Sequence, residues 1–173
     1  RGLEALKRHK AEYNILTLVN HNNVKHPKEI YHYLCDMAVR YHQYIECVEF
    51  DEHGNLMPFA ITGEEWGDFL CAIYDEWIKA DTHKISIRLF DSILSVILDK
   101  TATTCSMGTD CRTYLVVEHN GDIYPCDFFV RHELKLGNII KNSWEELLDS
   151  PIYKAFGKRK SSWNSKCIDC PYL

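Results

Sequence analysis

Five cysteines in the last third of the chain have the spacing of metal ligands. Cys105, Cys111 and Cys126 are separated by five and fourteen residues, and Cys167 and Cys170 form a Cys-x-x-Cys pair. A Cys-x-x-Cys turn lets two thiolates point at one metal, and four thiolates around one centre suit either tetrahedral zinc or an iron–sulfur cluster. The ligand pattern does not separate these two metals, and buried cysteines without a metal are the plainer alternative.

A carboxylate directly follows one of these cysteines. Asp127 stands after Cys126, at the end of a run that begins at Asn120-Gly121. Asn-Gly between two β-forming runs, here 113–118 and 122–126, is typical of a tight hairpin, because both residues tolerate positive φ. The hairpin is expected to bring Cys111 and Cys126 together across its arms. From residue type alone, Asp127 is as well explained as a turn or capping carboxylate.

The residues before this region predict an α/β fold. Strands are expected over 13–19, 44–50 and 84–89, each followed by an amphipathic helix. The first of these helices begins near Pro27 with apolar positions that run to Tyr41, and the next begins at the capping box Thr62-Gly63-Glu64-Glu65. Strands that alternate with helices favour βαβ units and a parallel sheet. Three strands are few for a complete domain, so the pattern indicates half of a barrel or of a wound sheet.

The character of the sequence changes after Lys100. We therefore expect one domain over 1–100 and a small cysteine-rich α+β domain with a β-hairpin over 101–173. A second capping box, Ser143-Trp144-Glu145-Glu146, predicts a short helix that ends before Pro151, with another helix over 152–160. The other three cysteines lie on apolar faces of predicted elements, where they are expected to be buried without a metal: Cys35, Cys47 and Cys71.

Composition and charge exclude some functions. A net charge of −5 and a pI near 6.0 argue against a nucleic-acid partner, and the basic run 158–160 is interpreted as a solvated helix end. No apolar run approaches the roughly 18 residues that span a bilayer, so no membrane partner is expected. Eight cysteines without a secretory signal favour reduced thiols or metal ligands in a cytoplasmic protein. The sequence begins inside a helix pattern, which predicts that it is a piece of a longer chain.

Taken together, the motifs resemble a SPASM domain, the C-terminal auxiliary-cluster domain of peptide-modifying radical S-adenosylmethionine (SAM) enzymes. The phrases that carry the resemblance are Cys105-x5-Cys111, Asn120-Gly121-Asp122-Ile123-Tyr124-Pro125-Cys126-Asp127, Leu136-Gly137-Asn138-Ile139, Trp144-Glu145-Glu146-Leu147 and Cys167-x2-Cys170. Two further phrases are similar to the anaerobic sulfatase-maturating enzymes: Tyr124-Pro125-Cys126-Asp127-Phe128-Phe129 and Ser86-Ile87-Arg88-Leu89-Phe90-Asp91. The resemblance covers nearly the whole chain, and it implies that residues 1–98 are the second half of a six-stranded partial barrel.

The resemblance also implies roles for individual residues. Cys105, Cys111 and Cys126 resemble three ligands of one auxiliary [4Fe-4S] cluster, and Cys167 and Cys170 resemble the first two ligands of a second cluster. Asp127 matches the general base, and Val48 matches a position that touches SAM.

The implied reaction converts a Cys or Ser of a sulfatase polypeptide to Cα-formylglycine. A 5′-deoxyadenosyl radical would remove a Cβ hydrogen, Asp127 would take the side-chain proton, and an electron would leave through iron–sulfur clusters. Flavodoxin or ferredoxin would be the electron donor.

The sequence departs from the family pattern at two points. No Cys-x3-Cys-x2-Cys motif, which would hold the SAM-cleaving cluster, occurs in the sequence. The sequence also ends before the further cysteines that the family places after Cys170, so this chain is expected to be inactive by itself. Two alternatives remain open: another SPASM enzyme that makes thioether or carbon–carbon crosslinks in a peptide, and a non-catalytic zinc-binding module with four Cys ligands. The sequence does not distinguish a Cys-type from a Ser-type sulfatase substrate.

Overall fold

A three-stranded parallel sheet with helices organises the first part of the chain. The structure, a computed structural model, describes residues 2–170 apart from the side chain of Lys166. Contacts divide the chain into two compact units, one ending at Asp99 and the other beginning at Lys100. Within the described residues, no helix has both the length and the apolar character needed to cross a membrane.

The first unit alternates helices and strands, as the sequence predicts. The elements of this unit are α1 (Gly2–Arg8), β1 (Ile15–Val19), α2 (Pro27–Asp36), β2 (Tyr41–Glu46), α3 (Gly63–Ala80), β3 (Ser86–Ile87) and α4 (Arg88–Asp99). Strand β1 pairs with β2, and β2 pairs with β3, all in parallel.

The core of the first unit lies between one face of this sheet and its helices. On β2, the ring of His42 is 5.8 Å from Tyr31 of α2, and that of Tyr44 is 5.4 Å from Phe69 of α3. Alternate residues of β1 face the other way: Leu16 and Leu18 are 57% and 52% exposed. One face of this parallel sheet therefore carries apolar side chains without cover in the first unit.

Local capping signals fix the helix starts where the sequence predicts them. Pro27 occupies the first turn of α2. At α3, the Thr62 hydroxyl accepts a hydrogen bond from the Glu65 N–H (3.2 Å), and the Glu65 carboxylate accepts one from the Thr62 N–H (2.9 Å). Each bond satisfies a backbone donor that has no partner inside the helix.

The end of α2 differs from the prediction. Ala38 adopts a left-handed conformation with φ of 55°, and the Ala38 and Val39 N–H groups donate to Cys35 O (2.8 Å) and Leu34 O (3.0 Å). These two bonds form a Schellman motif, which ends the helix. Tyr41, predicted as part of the helix, is therefore the first residue of β2. Glycine usually occupies this left-handed position, so an alanine gives no signal in the sequence.

The third strand is also shorter than predicted. The sequence favours a strand over 84–89, but β3 contains only Ser86–Ile87 and α4 begins at Arg88. The Ile85 N–H belongs to a turn with Asp81 O (2.9 Å), and the Ser92 hydroxyl donates to Arg88 O (2.7 Å) inside the first turns of α4. The backbone on both sides of β3 is thus already hydrogen-bonded elsewhere.

The second unit contains an antiparallel sheet and short helices. The elements of this unit are β4 (Val116–Val117), β5 (Asp122–Tyr124), β6 (Gly137–Asn138), α5 (Trp144–Leu148), α6 (Pro151–Gly157) and α7 (Ser165–Ile168), with 3₁₀ turns at Cys105–Met107, Asp127–Phe129, His132–Leu134 and Lys158–Ser161. Strand β5 pairs with both β4 and β6. The second capping box is present: Ser143 and Glu146 exchange hydrogen bonds of 3.2 and 3.0 Å.

The predicted hairpin is present with a different turn. Glu118 N–H donates to Asp122 O (2.9 Å), so three residues form the loop. Only Gly121 has a positive φ (83°), and Asn120 instead uses its side-chain oxygen to accept from the Asp122 N–H (3.0 Å). A three-residue loop with glycine at its left-handed position is a common hairpin type.

Replacing Ala38 by glycine should stabilise the protein. The left-handed conformation is less favourable for alanine than for glycine by roughly 1–2 kcal/mol. Glycine also has more conformational freedom in the unfolded chain, so we expect Ala38→Gly to raise the free energy of unfolding by about 0.5–1 kcal/mol. The matched control is Ala5→Gly, at an exposed position inside α1, which should lower it by about 1 kcal/mol. Urea denaturation followed by circular dichroism measures both, and a loss of stability in Ala38→Gly would contradict the role given to Ala38.

Candidate metal centre

Strand β5 delivers Cys126 and Asp127 to the surface of the second unit. Ile123 is fully buried and Pro125 is nearly so, which anchors the strand. The backbone of Cys126 continues extended (φ −163°, ψ 147°), and a 3₁₀ turn begins at Asp127. The thiol of Cys126 is partly buried, whereas Asp127 is exposed.

The side chains of these two neighbours touch. The Cys126 Sγ–H donates to Asp127 Oδ1 over 3.4 Å. Burial raises the pKa of Cys126, a backbone hydrogen bond at Phe128 lowers it, and the Asp127 carboxylate and the Cys105 thiol raise it further. The thiol is therefore protonated at neutral pH. Because iron and zinc bind the thiolate, metal binding at Cys126 has to release this proton.

The two preceding cysteines sit on irregular backbone. Cys105 opens a 3₁₀ turn and is exposed, and its carbonyl accepts a hydrogen bond from the Lys160 ammonium. Cys111 is partly buried, and its N–H donates to Gly157 O over 3.2 Å. Cys105 is close enough to Cys126 to affect its pKa, so the structure places these two predicted ligands in one neighbourhood.

The Cys-x-x-Cys pair forms its predicted turn. The Cys170 N–H donates to Cys167 O (3.0 Å), and the Cys167 N–H donates to Asn164 O (2.8 Å). Both thiols are exposed. This turn leaves both sulfurs accessible to a metal.

The donor set fits an iron–sulfur cluster in type. All five of these cysteines are free thiols, and thiolate sulfur is the usual ligand of such clusters. Among residues 2–170, however, no three His, Cys, Asp or Glu side chains meet in a geometry that could hold one metal ion. Cluster binding would have to deprotonate the thiols and adjust the loops that carry them, and would thereby add to the stability of this unit.

The remaining predicted site residue lies in the first unit. Val48 follows the buried Cys47 just beyond the carboxyl end of β2 and is 47% exposed. The Cys47 N–H donates to Val19 O (2.9 Å), which holds this segment beside β1. Among the cysteines predicted to be buried, Cys35 is partly buried and Cys71 is exposed, so the prediction for Cys71 was wrong. Cys71 lies on the outward side of α3, next to an apolar groove along α4.

Several residues that support the cysteines were missed in the sequence. Lys160, interpreted as part of a solvated helix end, donates to the carbonyl of Cys105. Asp110 and Arg112 form a bidentate ion pair across Cys111, with 2.7 Å between Oδ2 and a terminal guanidinium nitrogen. The only local sign of this ion pair in the sequence is an Asp and an Arg on either side of a cysteine.

Comparison with known proteins agrees with this donor set. Residues 105–171 match the SPASM family, described as an iron–sulfur cluster-binding domain. A SPASM domain is therefore present, and it begins at Cys105 and includes Cys170.

The relatives extend the match to the whole chain. The chain is 34% identical over 189 residues to the serine-type anaerobic sulfatase-maturating enzyme of Bacteroides thetaiotaomicron, covering 100% of this chain and 46% of that enzyme. It is 34% identical over 172 residues to the cysteine-type enzyme of Clostridium novyi, covering 98% and 46%. A solved structure, native anSMEcpe with bound AdoMet and Cp18Cys peptide, superposes with a TM-score of 0.87 at 29% identity, covering 98% of this chain and 48% of that one.

These comparisons confirm the recognition made from the sequence. The chain has the fold of radical SAM sulfatase-maturating enzymes, and homologues with that name cover all of it. The chain spans about half the length of the curated relatives it matches.

The contact between Cys126 and Asp127 can be tested by alkylation of the metal-free protein. Since the carboxylate raises the pKa of the thiol, Asp127→Asn should lower that pKa. The pH midpoint for reaction of Cys126 with iodoacetamide should then move down, as measured by peptide mass spectrometry.

Two controls accompany this measurement. Alkylation in denaturant should bring the midpoints of both proteins together, because burial and the carboxylate no longer act on the thiol. Glu133→Gln, an exposed acid in the same unit, should leave the midpoint of Cys126 in place. An unchanged midpoint in Asp127→Asn would show that the hydrogen bond does not form.

Proposed function

We propose that this chain is part of a radical SAM enzyme that oxidises a Cys or Ser of a sulfatase polypeptide to Cα-formylglycine. The proposal rests on one observation above all: relatives named as sulfatase-maturating enzymes cover the chain from end to end. Both serine-type and cysteine-type relatives match with 34% identity, so identity does not select the substrate residue.

Residues 1–100 are proposed to form the second half of a partial (β/α)₆ barrel. The support is the parallel order β1-β2-β3 and the exposure of one apolar sheet face. Parallel sheets are normally covered on both faces, whereas Leu16 and Leu18 of β1 are about half exposed. Strand β1 is also an edge strand in the described sheet. Further strands of a barrel would cover both the face and the edge.

Residues 101–173 are proposed to hold auxiliary [4Fe-4S] clusters. Cys105, Cys111 and Cys126 would be ligands of one cluster, and Cys167 and Cys170 would belong to a second. The support is the match to a cluster-binding domain over these residues and the proximity of Cys105 to Cys126.

Asp127 is proposed as the general base. Removal of one hydrogen atom, one proton and one electron from a Ser side chain leaves the aldehyde of formylglycine; a Cys side chain gives a thioaldehyde, which water converts to the aldehyde with loss of H₂S. When bound, SAM and the clusters supply the abstracting radical and the path for the electron. The proton is left for a protein group, and Asp127 is an exposed carboxylate that could accept it.

The contact with Cys126 suggests how Asp127 becomes available. Without a metal, Asp127 Oδ1 accepts the hydrogen bond of the Cys126 thiol. As a metal ligand Cys126 has no proton to donate, so Oδ1 loses this partner. The carboxylate is then free to accept a proton from a substrate within hydrogen-bond reach.

Other partners follow from the same proposal. Val48, exposed beyond β2, is proposed to touch SAM. The substrate is proposed to be a sulfatase peptide segment, since the related anSMEcpe was solved with a bound peptide. A flavodoxin or ferredoxin is proposed as the electron donor.

Loss of the Asp127 carboxylate should slow the reaction strongly without changing the cluster content. In the reconstituted full-length holoenzyme, Asp127→Asn should lower the rate of formylglycine formation by about 10²–10⁴-fold, the usual contribution of a general base, with iron and sulfide contents unchanged. Mass spectrometry of a sulfatase-derived peptide measures the product. Glu133→Gln should keep full activity, and an Asp127→Asn enzyme that retains it would disprove the assignment of the base.

The metal itself should be iron. The holoprotein purified anaerobically should contain acid-labile sulfide and absorb at roughly 390–420 nm, as thiolate-ligated clusters do. Cys126→Ala should lower the iron and sulfide content, whereas Cys71→Ala, at an exposed cysteine outside the candidate site, should not. Stoichiometric zinc without sulfide would instead favour the zinc-binding module.

A further inference from the structure

Helix α6 and the 3₁₀ turn that follows it contact all three segments that carry the proposed ligands of the first cluster. Lys160 donates to the carbonyl of Cys105, Gly157 O accepts from the Cys111 N–H (3.2 Å), and the ring of Phe156 packs edge-on against Phe129 (5.3 Å). Phe129 lies in the 3₁₀ turn after Cys126, and its own N–H donates a hydrogen bond to Cys126 O (3.0 Å).

Most of these contacts come from one side of α6. Tyr153, Phe156 and Gly157 have the i, i+3, i+4 spacing that places residues on one side of an α-helix. Tyr153 is buried, and its hydroxyl donates to Tyr114 O (3.1 Å), on the chain just after Cys111. Lys160 belongs to the 3₁₀ turn Lys158–Ser161 that continues α6.

The two residues that flank Cys111 are bonded to each other. Asp110 Oδ1 accepts from the Arg112 backbone N–H (2.8 Å), which closes a turn around Cys111. The Arg112 guanidinium closes the same turn a second time through bonds of 3.0 and 2.7 Å to the carboxylate. Planar bidentate pairs of this kind fix geometry as well as charge.

Gly157 is the place where this turn rests on α6. A Cβ at Gly157 would lie 2.6 Å from Asp110 Oδ1 and 2.7 Å from Arg112 Cγ. The backbone of Gly157 is helical (φ −55°, ψ −41°), so its conformation does not require glycine. The requirement for a residue without a side chain comes only from the close approach of the Asp110–Arg112 pair.

We propose that α6 is a template for the first cluster site, and that Gly157 and the Asp110–Arg112 pair are positioning residues for the Cys111 thiolate. The inference rests on the proposed role of Cys111 as a cluster ligand. Residues behind the ligands of a metal site commonly change metal affinity by about 10–100-fold. The pair and Gly157 would act in this way, by holding the backbone on both sides of Cys111.

The test uses the reconstituted full-length holoprotein with the variants Gly157→Ala and Asp110→Ala. Both should speed the release of iron to a chelator by about tenfold or more and alter the electron paramagnetic resonance spectrum of the reduced protein. The signal affected is identified as the one that Cys111→Ala removes. Asp110→Asn keeps the oxygen that accepts from the Arg112 N–H and should restore most of the iron retention.

The matched control is Gly67→Ala. Gly67 is exposed inside α3, and a Cβ there meets no atom within 4 Å, so iron release and spectrum should stay at the values of the unmodified protein. If Gly157→Ala fails to fold, Asp110→Ala decides the question. The Asp110 side chain is 43% exposed, so its removal leaves no cavity in the core.

The outcomes distinguish the ligand role of Cys111 from the positioning role of Gly157 and the Asp110–Arg112 pair. If Cys111→Ala removes a cluster signal while Gly157→Ala and Asp110→Ala retain iron like Gly67→Ala, the positioning role is disproved and the ligand assignment stands. If Cys111→Ala retains every cluster signal, Cys111 is not a ligand, and both the ligand assignment and the positioning role are disproved. Faster iron release in both Gly157→Ala and Asp110→Ala, with slow release recovered in Asp110→Asn, supports the template.

Discussion

The second unit depends on contacts that hold thiol-bearing loops against a short helix. Cys105 lies in a 3₁₀ turn, Cys111 in a loop and Cys126 two residues beyond β5, so no ladder of backbone hydrogen bonds fixes all three. Apart from Pro125, few large apolar side chains are buried between residues 100 and 170: Ile123, Leu134, Leu147, Tyr153 and Phe156. Two of the five belong to α6, and the same helix contacts Cys111 and the turn that follows Cys126. A core of this size stabilises a small unit only marginally, and bound metal commonly supplies the rest.

The pair Cys126 and Asp127 faces two demands that oppose each other. Burial and the adjacent carboxylate raise the pKa of the thiol, which disfavours the thiolate that a metal needs. Metal binding has to supply the free energy that removes this proton. The same arrangement keeps the carboxylate occupied in the metal-free protein, since Oδ1 accepts from Sγ. If Cys126 binds the proposed cluster, this single hydrogen bond couples metal binding to the accessibility of the acid.

The features predicted correctly are those with local causes. Both capping boxes, the proline at the start of α2 and the hairpin at Gly121 each depend on residues within a few positions of one another. The errors have tertiary or unusual causes. Ala38 ends α2 in a conformation that glycine usually adopts, and β3 is cut short because turns on both sides use its backbone. The contacts of α6 and the 3₁₀ turn after it with the cysteine loops join residues 27 to 55 positions apart, and no single-sequence pattern encodes such contacts.

Each unit is complete in local structure and incomplete in burial. In the first unit, helices α2 and α3 are capped or terminated by their own residues, yet Leu16 and Leu18 leave an apolar face of a parallel sheet uncovered. In the second, the turns that carry the thiols are formed within the described residues, yet the sulfurs do not meet around one ion. Local elements can therefore form before the sheet face is covered or the metal arrives. What the covering chain and the metal would add is long-range order: the sheet face would lose its contact with water, and the cysteine loops would gain a common centre.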